Sequence, residues 1–223
     1  MPIELDHIFI CASHGGDEAS ALSSFGLSEG TPNVHPGQGT ACRRYFFQNA
    51  YLELLWVSDQ AEAQSATIRP THLWERWTAH STGACPFGLV LRPGAQDHPT
   101  APFAAWDYHP PYLPESWSFQ VGTNADILTE PMLVFLPFVR RPDSPSAPRR
   151  QVMQHAAGMR ELTRVEMISP HADRLSSAFE AVLNTGIVRR RSGAEYLVEL
   201  GFDGELKGKA ADFRPRLPMV LLW

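Results

Sequence analysis

Apolar and polar residues alternate with a period of two over Ile3–Cys11. Leu5, His7, Phe9 and Cys11 fall on one face, and Asp6, Ile8 and Ile10 on the other. Thr40–Gln48 reads as a second strand, and Ala50–Val57, apolar or aromatic at seven of its eight positions, as a third. The tight connection at Asn49-Ala50 makes them an antiparallel pair. Between these strands His14-Gly15-Gly16 breaks the chain. Asp17 stands at an N-cap position, Ala21, Leu22 and Phe25 recur at helical spacing, and Gly26 ends the helix. Thr31–Gly39 reads as a loop. Further along, Leu73, Trp74 and Trp77 predict a helix over Ile68–His80, and Leu175, Ala178, Phe179 and Val182 predict one over Ala172–Leu183, ended by Gly186. Strands are expected over Phe87–Arg92, Trp117–Gly122, Met132–Val139, Leu162–Ser169, Tyr196–Phe202 and Met219–Trp223. Pro93–Pro114 is a long aromatic-rich crossing whose six prolines deny it regular structure, and Arg140–Arg150 is a surface linker.

The segment from Leu162 repeats the opening order of strand, helix and strands. This divides the chain into a first βαβββ module (1–60), a second, degenerate module with a helix and a Pro/aromatic-rich insertion (61–160), and a partial third β-α-β-β repeat (161–223). All three are expected in one compact α+β domain.

Composition narrows the function. The 223 residues suffice for a sizeable core. A net charge of −5, with only short arginine runs, argues against a nucleic-acid partner. Three cysteines without a CxxC make neither a disulfide framework nor a zinc knuckle. No apolar run reaches the ~18 residues that a membrane span needs, and no signal-peptide pattern opens the sequence, so a cytoplasmic protein is expected.

The chemistry concentrates in Tyr51-Leu52-Glu53-Leu54-Leu55-Trp56-Val57. An ionised Glu in an apolar strand costs on the order of several kcal/mol unless a cation or donors meet it. If the faces carrying His7 and Glu53 share one curved sheet, the imidazole and carboxylate converge, a pair suited to Zn, Mn, Fe or Ni. His35, His109, His155 and Glu130 are candidates to complete the shell. An ion pair with Arg43 or Arg44 from the preceding strand is the alternative, and the residues leave both open. His35-Pro-Gly-Gln-Gly-Thr40 is a second candidate, either a cradle for a carboxylate or phosphate or a plain Gly-rich turn. His109-Pro-Pro-Tyr112 suits a pocket wall or lid, and His155-Ala-Ala-Gly158 stands just before a strand.

Leu5–Ile10, the Asp17–Gly26 helix, His35–Thr40 and Tyr51–Leu54 together resemble the glyoxalase-like members of the vicinal oxygen chelate superfamily. Phe87–Arg92 is similar to the strand that opens that family's second module, and Glu130–Phe138 followed by His155-Ala-Ala-Gly158 to its last strand and a trailing motif. The resemblance implies paired βαβββ modules in a cupped mixed sheet with peripheral helices, and metal ligands at His7 and Glu53. It implies a metal-dependent lyase, isomerase or dioxygenase acting on a small carbonyl or oxygen-rich substrate through an enolate or oxyanion, with Glu53 and His155 catalytic. His35, Arg43, His109 and Tyr112 would then bind substrate. The alternative is a metal-free small-molecule binding or sequestering protein. Related cupped sheets often pair, so a homodimer is expected. The chain departs from the pattern in its second module, which has no His near Phe87–Leu91 and no carboxylate in Met132–Leu136, and in its last repeat, where Arg164 and Val220 stand in the ligand positions.

Overall fold

The computed structural model describes residues 3–94, 100–145, 150–171 and 174–223. Parts of the Pro93–Pro114 crossing and the Arg140–Arg150 linker, and the start of the helix expected from Ala172, lie outside the described residues. The fold is α+β, with curled mixed sheets and peripheral helices, as expected.

One sheet has eight strands. Its first half is β1 (Ile3–Cys11), β2 (Asn33–His35), β3 (Thr40–Phe46) and β4 (Tyr51–Val57); its second is β5 (Phe87–Pro93), β6 (Ala105–Tyr108), β7 (Phe119–Gly122) and β8 (Met132–Phe135). The order is β2-β3-β4-β1-β5-β8-β7-β6. Each half therefore places its last strand parallel to its first, β4 beside β1 and β8 beside β5, and the halves meet where β1 runs antiparallel to β5. The five-stranded sheet holds β9 (Leu162–Ser169), β10 (Arg189–Ser192), β11 (Leu197–Phe202), β12 (Ala210–Asp212) and β13 (Met219–Leu222), in the order β10-β9-β11-β13-β12.

The alternation decides where the two cores sit. Ile8 and Ile10 of β1, Leu52 and Leu54 of β4, and Leu89 and Leu91 of β5 join Val165, Met167, Leu200 and Leu221 of the five-stranded sheet in one apolar cluster. The helices α1 (Ala19–Phe25) and α5 (Ser177–Asn184) add Leu22, Phe179 and Val182 to it. The opposite face of the eight-stranded sheet carries Phe9, Cys42, Leu55, Val90, Met132 and Val134, which line the cup.

Two local features shape that cup. A β-bulge sits between Leu5 and His7: Leu5 pairs with Leu91 and His7 with the very next residue, Val90. The extra residue, Asp6, changes the alternation, so Leu5 packs on the intersheet core while His7 faces the cup. The shared face expected for Leu5 and His7 is thus split. The second feature is Gly88, paired with Phe9. A Cβ there would lie 1.9 Å from the Phe9 ring, so only glycine lets that ring lie across the seam of the two halves.

Other differences have local causes. Part of the Thr31–Gly39 loop is strand β2. Glu18, not Asp17, occupies the N-cap position of α1, and Gly26 closes the helix at φ 108°. The helix expected over Ile68–His80 is broken into the 3-10 turn Arg69–Thr71, then α3 (Leu73–Trp77) and α4 (Ala79–Thr82), after the short helix α2 (Gln60–Ala63). His72 takes a left-handed φ of 55° at the break. Beyond it Arg76, fully buried, donates to Glu130 O at 2.5 Å, Ala125 O at 3.0 Å and Cys85 O at 3.4 Å. A guanidinium whose two Nη groups meet three carbonyls outside the helix, though its buried Nε has no partner, outweighs the propensity for one straight helix. The helix expected over Ala172–Leu183 is α5 from Ser177: residues 174–176 are not helical, and the Ser176 hydroxyl caps the start by accepting from Phe179 N.

Candidate functional site

The cup encloses a cavity of about 180 Å³. Strands β1, β3 and β4 supply its polar wall: His7, Arg44, Tyr51 and Glu53, with Asn33, His35 and Gln38 from the β2 region. Strands β5, β7 and β8 supply Val90, Phe119, Met132 and Val134, and Tyr108, Tyr112 and Leu113 close it from the crossing segment.

The polar wall is built around His7. Its Nδ1–H donates to Asp6 Oδ2 at 2.7 Å, which aims Nε2 into the cavity. There Nε2 lies 3.7 Å from Glu53 Oε2 and 3.5 Å from the Tyr51 hydroxyl, and the His7 and Tyr51 rings stack at 4.1 Å. Asp6 is itself held: Arg92 Nη1 donates to Asp6 Oδ1 at 3.2 Å, while Nη2 donates to Glu4 Oε2 at 2.7 Å and Asn49 O at 2.8 Å. Arg92, Asp6, His7 and Glu53 are all buried. The bulge lies within this chain of contacts: Asp6 is the extra residue between the Leu5–Leu91 and His7–Val90 pairs, and its carboxylate meets the imidazole of its neighbour His7.

His35 lines the cavity, yet both its nitrogens are engaged. The Asn33 amide donates to Nε2 at 3.0 Å, so Nδ1 carries the proton and donates to Thr40 Oγ1 at 2.9 Å. Gln38 joins Thr40 Oγ1 to the Tyr108 hydroxyl. Burial, with Arg44 and His7 nearby, holds the His35 imidazole below its ordinary range, against an upward pull from Glu53. Burial lifts the Tyr51 hydroxyl well above its usual value and raises Tyr112, so both stay hydrogen-bond donors. The cysteines are free thiols; burial pushes Cys11 and Cys85 up to about 12, and burial with the Glu53 charge raises Cys42.

Of the residues singled out in the sequence, His7, Glu53, His35 and Tyr112 meet in the cavity. Arg43 does not: it points to the opposite face of β3, with Nε and Nη2 on the Glu29 carboxylate at 2.8 and 2.5 Å. His155 stands outside the cavity lining, accepting from Ser28 N at 3.0 Å through Nδ1 and donating to Phe46 O through Nε2. It fastens the segment before β9 to the first half of the sheet. His109 is exposed. Glu130 accepts from Ser176 N and Ser176 Oγ, both at 2.6 Å, and from Asn124, far from the metal shell it was a candidate for. The glycine loop at 36–39 is a turn: Glu62 already accepts the Gly37 N–H at 2.7 Å, and the Gly39 carbonyl accepts from Ser58 and Asp59.

Asp6, Arg92 and Tyr51 were not singled out in the sequence, and Arg44 was named only beside Arg43 as an ion-pair partner for Glu53. Arg44 had a signal. Residues directly opposite in a hairpin share a face, and Arg44 pairs with Glu53 while Arg43 pairs with Leu54.

The donor set for a metal is incomplete. His7 and Glu53 offer two ligands, His35 has no nitrogen left, and the facing wall of Val90, Met132 and Val134 offers none. Among the described residues no three His, Cys, Asp or Glu side chains gather into a group that could hold a metal. Catalytic zinc sites take three protein ligands, so these residues do not fit a resident metal, and no step below passes through one.

A two-halved cupped sheet around a cavity, backed by a second sheet, defines the class of fold. The chain belongs to the glyoxalase-like domain family, whose profile matches residues 5–183, consistent with the vicinal oxygen chelate superfamily. No curated protein matches it. Among solved structures, a hypothetical protein from Staphylococcus aureus is similar over 99% of both chains, with 10% identity and a TM-score of 0.49. Among the described residues no helix is long and apolar enough to cross a membrane.

Proposed function

We propose that the cavity binds a small carbonyl compound and moves a proton at the carbon beside its carbonyl, without a resident metal. The observation that carries this reading is the Arg92–Asp6–His7 chain, which ends on a nitrogen aimed at Glu53 inside the cavity. A carboxylate on Nδ1 fixes the tautomer and orientation of the imidazole and leaves the Nε2 lone pair facing the cavity. Nε2 takes the proton from carbon, the electron pair moves to the carbonyl oxygen, and the Tyr51 hydroxyl donates a hydrogen bond to the resulting enolate. Return of the proton to another atom gives an isomerase. Glu53 stabilises the imidazolium formed on the way.

Acetophenone is a suitable neutral probe, its methyl protons being read by NMR as they exchange in deuterated water. The native protein is expected to accelerate exchange, and His7→Gln to remove at least about a hundredfold of it. Native protein that leaves the exchange at its buffer rate, or a His7→Gln variant as fast as native, sinks this reading. The apolar second wall supports the alternative of a sequestering protein, which would bind the probe without exchanging it.

A further inference from the structure

Most polar groups on the cavity's first-half wall are engaged by neighbours, and the cation among them, Arg44, is engaged only in part. Arg44 is the only Lys or Arg among the described lining residues. Its Nε donates to Thr31 O at 2.9 Å, and its guanidinium carbon lies 5.1 Å from the Phe46 ring centroid and 5.9 Å from that of Tyr51. Among the described residues neither Nη atom of Arg44 has a hydrogen-bond partner, and no ion pair joins it to Glu53 across the hairpin. The neighbouring arginines are spent, Arg43 on Glu29 and Arg92 on Asp6, Glu4 and Asn49. A guanidinium fixed by its Nε and two rings, with both Nη groups open, is preorganised for two parallel bonds to a carboxylate.

Size and polarity set the rest of the ligand. An apolar cavity of roughly 150 Å³ holds benzene, and this one, at about 180 Å³, is slightly larger. Phe9, Val90, Met132 and Val134 form its apolar side. Glu53, directly opposite Arg44 across the hairpin, repels an anion, so a negative group is held on the Arg44 Nη atoms and the uncharged carbonyl turns toward His7 and Glu53.

Resting on the proton-transfer reading above, we infer that the substrate is a single-ring or similarly sized carboxylate: its apolar body lies on the second-half wall, its anionic group on Nη1 and Nη2 of Arg44, and its carbonyl at His7.

Calorimetry on the native protein with 3-acetylbenzoate, 3-acetylbenzamide and 3-(aminomethyl)acetophenone separates charge from shape. The acid is expected to bind about ten- to a hundredfold more tightly than the amide, the range for a hydrogen bond to a charged group, and the amine more weakly than the amide. Arg44→Gln should erase the advantage of the acid over the amide, and Arg44→Lys should keep part of it. An amide that binds as well as the acid, an amine that binds best, or an advantage that survives Arg44→Gln overturns the inference. Should Arg44→Gln not fold, the three ligands on native protein decide it alone. An acid preference without proton exchange removes the proton-transfer reading and leaves the anion site. Exchange of acetophenone without an acid preference does the reverse.

Discussion

The two halves of the eight-stranded sheet use one backbone plan and opposite chemistry. In the first, β1 and β4 present His7, Tyr51 and Glu53 to the cup. In the second, β5 and β8 present Val90, Met132 and Val134. His7 and Val90 are directly paired across the seam, so a proton acceptor and an isopropyl group occupy neighbouring positions. A cup with donors on both halves could grip an ion from two sides. A cup with donors on one half holds a ligand by one end and packs the other. The difference teaches that the frame fixes where side chains point, while their identities fix what the cavity does.

Four changes break or sharpen this contrast. The largest effect is expected behind the polar half. Arg92→Leu leaves the buried Asp6 carboxylate uncompensated and should lower the unfolding free energy by about 3–5 kcal/mol in chemical denaturation. A loss under about 1 kcal/mol would show that the carboxylate never depended on it. On the apolar half, Phe119→Ala should cost about 3 kcal/mol and widen the cavity, with proton-exchange rates on acetophenone still set by His7. If exchange vanishes as completely as in His7→Gln, the halves do not divide binding from chemistry as drawn. Asp6→Asn should destabilise by about 1–3 kcal/mol, and its sharper readout is slower proton exchange on acetophenone, because an amide no longer fixes the His7 tautomer. Exchange as fast as in the native protein removes Asp6 as the positioning residue.

The smallest effect is pH dependence. Burial holds His35 and His155 below their ordinary value of 6.5. As pH falls through that value the unfolded chain takes up protons that these two imidazoles refuse, so stability declines below about 6.5 until each folded-state pKa is reached. The decline is at most about 1.4 kcal/mol per pH unit for each group. His155→Gln should flatten part of it, and denaturation profiles at pH 7.0 and 5.0 that fall equally in variant and native protein would count against His155.

Much of the fold was legible because strands advertise themselves by alternation or by short apolar runs between turns. β1, β4, β5, β9, β11 and β13 lie where those signals put them. The convergence of His7 and Glu53 was legible for the same reason. What was hidden depended on distance or on one extra residue. His155 belongs to a stretch without regular structure and is fixed by Ser28 and Phe46, more than a hundred residues away. Arg76 breaks a plausible helix for the sake of three remote carbonyls. The bulge left no trace, because Leu5 is apolar and satisfies either face.

That bulge has a consequence for changes in chain length. Asp6 is the supernumerary residue of β1, so the ladder with β5 would stay in phase without it: Leu5 would still meet Leu91 and His7 would still meet Val90. Deleting any neighbour from Ile8 to Ile10 instead throws the remaining strand out of frame and turns apolar side chains into the wrong layer. Asp6 is therefore a position at which the ladder with β5 would keep its register after a deletion, and the cost would fall on its two partners, His7 and the buried Arg92.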